Sequence, residues 1–138
     1  MTRKLVSLLR SPPAALRVAC AIAFAVLVAG LFVVGSMPVA AGLLRAPWDK
    51  LAHFAHFGLL TVLLLLATRG RRPLAVFLAV CAVGVADELF QSRLPGRYAT
   101  WGDLAVDVFA AGVMVVVVRQ WVKGTQAAAD DQPPRADS

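Results

Sequence analysis

Asp49, Lys50, His53 and His56 fall within eight residues, Asp87, Glu88 and Gln91 within five, and Arg97, Asp103 and Asp107 within eleven. Carboxylates beside an imidazole suit a divalent cation: oxygen ligands favour magnesium or calcium, and an added imidazole favours zinc or manganese. Metal is one candidate cofactor, and none is firmly implied. His53-x-x-His56 lacks the Glu of the HExxH zinc motif. The same groups are equipped for acid/base work, with His53, Asp87 and Glu88 as the catalytic candidates. No nucleophile is evident, because nothing near Tyr98 or Thr100 in sequence would activate either hydroxyl. Arg97, presented after Pro95-Gly96 and near Arg93, suits a phosphate or carboxylate on a lipid headgroup or envelope precursor. An inert alternative uses the same residues, with Arg97 paired to Asp87, Glu88 or Asp103 and the whole cluster clamping helix ends together.

Helical spacing decides which of these groups can meet. Asp49, His53 and His56 are offset by four and three residues, so they share one helix face. Asp87 and Gln91 are four apart, as are Asp103 and Asp107. Each of three helices thus carries a short polar stripe, and the stripes should face one another, because an ionised group exposed to lipid at a helix centre costs about 2.5–3.5 kcal/mol. One polar pocket shared by three helices is the expected result. Its ligand-binding set is Asp49, Lys50, His53, Asp87, Glu88, Gln91, Arg97, Asp103 and Asp107.

The elements that position this set are membrane spans. Of 138 residues, 59% are hydrophobic and 16% charged, and the mean hydropathy is +0.74, outside the range of a soluble domain. The fold class expected is all-α, a polytopic membrane protein with a bundle of four transmembrane helices over about residues 18–37, 51–68, 74–90 and 103–122. The net charge of +6 does not point to nucleic acid, because the basic residues sit at the ends of apolar runs. Cys20 and Cys81 read as small apolar residues without CxxC spacing.

Basic residues set the expected orientation. With the amino terminus inside, Arg3, Lys4, Arg10, Arg17, Arg69, Arg71, Arg72, Arg119, Lys123 and Arg135 are cytoplasmic, against Arg45, Lys50, Arg93 and Arg97 outside. That asymmetry places both termini in the cytoplasm of a multi-pass protein of the bacterial cell membrane. Trp48 and Trp101 mark the outer interface, where all five non-tail acids and both histidines cluster. Residues 1–17 form a cytoplasmic segment, 18–122 the transmembrane domain and 123–138 a polar, disordered cytoplasmic tail. Signal-peptide cleavage near residue 41 is disfavoured by the length of the first apolar run. Membrane lipids are the expected partners, with a lipid-linked envelope precursor as a further candidate; oligomeric state is not readable, although Gly102, Gly112, Ala105, Ala110 and Ala111 allow close helix approach.

The order of these polar residues resembles the signature of the VanZ-like family, small bacterial membrane proteins named after a determinant of teicoplanin resistance. Asp49, Lys50 and His53 fit its Asp-Lys-x-x-His; Asp87, Glu88 and Gln91 fit its Asp-Glu-x-x-Gln; Gly96, Arg97 and Asp103 fit its Gly-Arg turn and following Asp, over about residues 47–115. Phe57 stands where the family often has Tyr, Asp107 where it usually has Asn and Ala110 where Gly is common, while His56 matches no family position. The resemblance implies a role at the cell envelope that includes glycopeptide susceptibility. It leaves three functions open: a pocket that binds a polar envelope ligand, a membrane-embedded metal-assisted hydrolase or transferase acting on a lipid-linked substrate, and a structural or accessory subunit.

Overall fold

A computed structural model describes residues 12–37, 47–95 and 100–130. Four helices account for nearly all of them: α1 (Ala14–Gly35), α2 (Trp48–Ala67), α3 (Pro73–Gln91) and α4 (Trp101–Asp130). Each contains an apolar stretch of 19 to 24 residues, long enough to cross a membrane, since 1.5 Å per residue gives about 28–36 Å. The expected all-α, four-span architecture is therefore the observed one. α4 continues to Asp130, past the expected end of its span and into the stretch assigned to an irregular tail. Gln126 and the run Ala127 to Ala129 explain the extension, since both residue types are strong helix formers.

α2 is the central helix. It packs most extensively on α4, then on α1, and less on α3, while α3 leans on α4. Phe57, Leu60, Val80, Ala110 and Ala111 form the buried core, with Phe24, Leu27, Val28 and Leu31 of α1 packed against it. Small residues set the close approaches. A Cβ on Gly58 would meet the Met114 side chain at 3.4 Å, and one on Gly84 would meet Leu104 and Asp107 of α4. Large apolar side chains such as Ile22, Val26, Leu74, Leu78, Phe109 and Val116 point outward, as the lipid-facing surface of a bundle requires.

The helix ends divide the molecule into two poles. At one, Arg17 donates from Nε to the Ala67 carbonyl at 3.1 Å, so the start of α1 lies beside the end of α2. At the other, Phe32 and Phe90 meet edge to face with centroids 5.4 Å apart, joining the ends of α1 and α3. The starts of α2 and α4 share this second pole, because Lys50 reaches Asp103. Thr100 caps α4: its Oγ1 accepts from the Asp103 N–H at 3.1 Å, the bond expected between a threonine N-cap and the third helical residue.

Candidate functional site

The polar stripes converge at the second pole, hereafter the acidic pole. Lys50 of α2 donates to Asp103 Oδ1 of α4 at 2.7 Å. One turn deeper, His53 Nδ1 lies 3.0 Å from Asp107 Oδ1. The Asp107 side chain is 0% exposed and that of His53 21%, so the pair sits at the inner limit of the site. An ionised carboxylate can only accept hydrogen bonds. With Asp107 ionised, His53 Nδ1 carries the hydrogen and Nε2 is the basic atom of a neutral ring.

α3 joins through α4's cap. Thr100 donates its backbone N–H to Glu88 Oε2 at 2.8 Å and its hydroxyl to Asp103 Oδ2 at 2.6 Å. In an ordinary capping box the third helical residue would accept that N–H; here a carboxylate from a neighbouring helix has replaced it. The cap has thus become the joint between α3 and α4. Asp87, fully buried, accepts from Gln91 Nε2 at 2.7 Å across one turn of α3.

Of the residues expected to form the site, Lys50, His53, Glu88, Asp103 and Asp107 are connected across helices, and Asp87 and Gln91 are linked within α3. Asp49 opens α2, where a carboxylate complements the helix dipole, but its buried Oδ1 has no hydrogen-bond partner among the described residues. His56 is also separate. Its ring meets Phe57 edge-on with centroids 5.7 Å apart, and its buried Nε2 has no hydrogen-bond partner among the described residues. Phe57 also stacks on His53, with centroids 6.1 Å apart and the rings nearly parallel, so the core aromatic packs against both histidines. Among the described residues no three His, Cys, Asp or Glu side chains form a group that could hold a metal. Gly96 and Arg97 lie outside the described residues, as does Tyr98.

Two contributors were not visible as site residues in the sequence. Thr100 offers no activated nucleophile, yet Thr100-x-x-Asp103 carries a readable capping signature. Gly84 had no signal of its own. A Cβ there would stand 3.2 Å from Asp107 Oδ2, so glycine is what allows α3 to pass close to that carboxylate. Gly102 does the same for Lys50, whose Nζ would lie 3.2 Å from an added Cβ.

A helical bundle of four spans, its ionisable side chains hydrogen-bonded together at one pole, defines a multi-pass membrane protein with a polar site at one membrane face. The sequence matches the VanZ/LLP1 family over residues 15–123, most of the chain, and the protein belongs to that family. No curated protein and no solved structure matches it significantly.

Proposed function

We propose that the acidic pole faces outward from the cytoplasmic membrane and binds the hydrogen-bond-donating part of an envelope ligand, a lipid headgroup or a lipid-linked cell-wall precursor. One observation carries the reading. Asp107 is 1% exposed and gives Oδ1 to His53, while its buried Oδ2 has no hydrogen-bond partner among the described residues. Leaving a buried acceptor unsatisfied costs about 1–3 kcal/mol, more for a charged one. Asp49 Oδ1 repeats the pattern nearer the membrane surface. Both atoms are acceptors, so the complementary ligand brings donors: hydroxyl, amide or ammonium groups. Arg97, which falls between α3 and α4 in the sequence, is the cation assigned to the ligand's phosphate or carboxylate. The excess of cytoplasmic over outer basic residues supports this orientation.

The test is native mass spectrometry of the protein released from its own membrane and supplied with total lipid extract. Asp107→Asn keeps the size of the side chain but turns one acceptor into a donor, and Arg97→Ala removes the cation. Each variant should retain bound lipid at least tenfold less well. An unchanged lipid profile in both variants would remove the basis for a binding site here. Where lipid retention falls as expected, a strain carrying either variant should match a deletion strain in its teicoplanin susceptibility.

A second reading rests on the His53–Asp107 pair. A carboxylate that fixes Nδ1 leaves Nε2 available as a general base, the orienting arrangement of hydrolase and transferase sites. His53→Gln would abolish turnover of a lipid-linked substrate while leaving its binding within about threefold. If binding and biological activity fall together in that variant, the base role is excluded.

A further inference from the structure

The opposite pole holds a cavity of about 330 Å³ between the end of α2 and residues 118–123 of α4, within the roughly 300–1,000 Å³ of small-molecule pockets. Arg69, Arg71, Arg119 and Lys123 line it. All four residues are exposed, and among the described residues none is in an ion pair, the pairs Lys50–Asp103 and His53–Asp107 lying at the far pole. The deeper wall is apolar, with Val62 and Leu66 from α2 and Val118 from α4. A cationic rim over an apolar wall, at the end of a membrane span, matches a molecule with an anionic head and a hydrocarbon body. We infer that this cavity binds the phosphate headgroup of an anionic phospholipid, with the first part of an acyl chain against Val62, Leu66 and Val118.

The backbone at Arg69 supports the same assignment. α2 ends in a Schellman motif, in which Gly70 N–H reaches the Leu65 carbonyl at 2.7 Å and Arg69 N–H reaches that of Leu66 at 3.2 Å. The motif needs a left-handed residue at Arg69, where φ is +58°. Glycine takes that conformation without penalty and arginine does not. The chain thus has a guanidinium at a position where stability alone favours glycine. The cavity, whose four cations have no ion-pair partner among the described residues, gives that guanidinium a use. Phosphate, like carboxylate, is held by paired N–H donors of a guanidinium, and the apolar wall at the end of a membrane span favours a phospholipid over a soluble anion.

Arg69→Gly separates binding from folding, because its two effects have opposite signs. In detergent-purified full-length protein it should raise the unfolding temperature by about 3 °C. It should also weaken binding of fluorescent phosphatidylglycerol about fivefold, the equivalent of about 1 kcal/mol for one cation near an anionic headgroup. Adding Arg119→Gln should extend the loss to about 30-fold, whereas Arg93→Gln, at the far pole, should leave affinity unchanged. Val118→Phe should weaken binding with no change of charge, because it fills the wall. Equal affinity for phosphatidylcholine and phosphatidylglycerol would overturn the proposal, as would an unaltered double variant. Displacement of the lipid by inorganic phosphate below millimolar concentration would assign the site to a soluble anion instead. The carboxylates of Asp130, Asp131 and Asp137 are the internal rivals; if changing all three to Asn raised affinity more than tenfold, the cavity would belong to the tail.

Discussion

The two poles of the bundle handle charge in opposite ways. At the acidic pole, charged and polar groups from three helices are consumed by one another: Lys50 by Asp103, His53 by Asp107, Glu88 by the N–H of Thr100. At the basic pole, Arg69, Arg71, Arg119 and Lys123 surround a cavity without acidic partners among the described residues. Depth explains the contrast. Asp107 is buried between helices, where an uncompensated charge is costly, so the protein supplies His53 to one of its oxygens. The four basic side chains reach the membrane surface, where long stems place charge in water or against headgroups without a protein partner. The first pole binds its helices together as it builds a site. The second adds little to folding and presents charge to whatever lies outside.

If that contrast is right, the largest effect of any substitution should come from the deepest pair at the acidic pole. His53→Ala leaves Asp107 buried without its partner and should destabilise the protein by about 3 kcal/mol, read as loss of thermal stability in detergent. The double variant His53→Ala with Asp107→Leu removes both charges and should recover at least half of that loss. Without recovery, the pair would not be the unit that the geometry describes. Next in size is the joint between α3 and α4. Thr100→Ala removes the cap hydroxyl and should cost about 1 kcal/mol, whereas Thr100→Ser should be nearly neutral. The Thr100 N–H that reaches Glu88 survives in both, so a cost above about 2 kcal/mol would show that the hydroxyl also holds α3 in place.

How far the sequence anticipated these poles depends on what each feature rests on. The four spans are set by long apolar runs, which are read directly. The facing of His53 and Asp107 was accessible because both lie at a similar depth after Trp48 and Trp101, and charged stripes have nowhere else to turn in lipid. Helical periodicity placed His56 beside His53 on one face, but it could not show that Phe57 of the core packs against both rings. Gly84 was illegible because its role depends on the register between α3 and α4, a long-range property. The basic cavity was hidden for a related reason. Lys and Arg report orientation through their number, whereas the cavity depends on a left-handed turn at Arg69 that no residue preference announces. α4 extends beyond residue 122, where the sequence turns polar, because a helix leaving the membrane needs no apolar face to persist.

The smallest expected effect is the most discriminating. Lys50 and Asp103 form the shortest ion pair among the described residues, at 2.7 Å, yet the lysine side chain is 45% exposed and that of Asp103 17%. Short distance alone would rank this pair first. Exposure ranks it last, because a solvated pair is typically worth well under 1 kcal/mol once side-chain entropy and screening are included. Asp103 also keeps the Thr100 hydroxyl on its other oxygen when the lysine is lost, so it is not stranded. Lys50→Met should therefore change stability by less than about 0.5 kcal/mol, and that small change should shrink further as salt is raised. If Lys50→Met instead cost as much as His53→Ala, the surface end of the acidic pole would be as dry as its deep end. The polar network would then be a sealed clamp with no route for a ligand to enter.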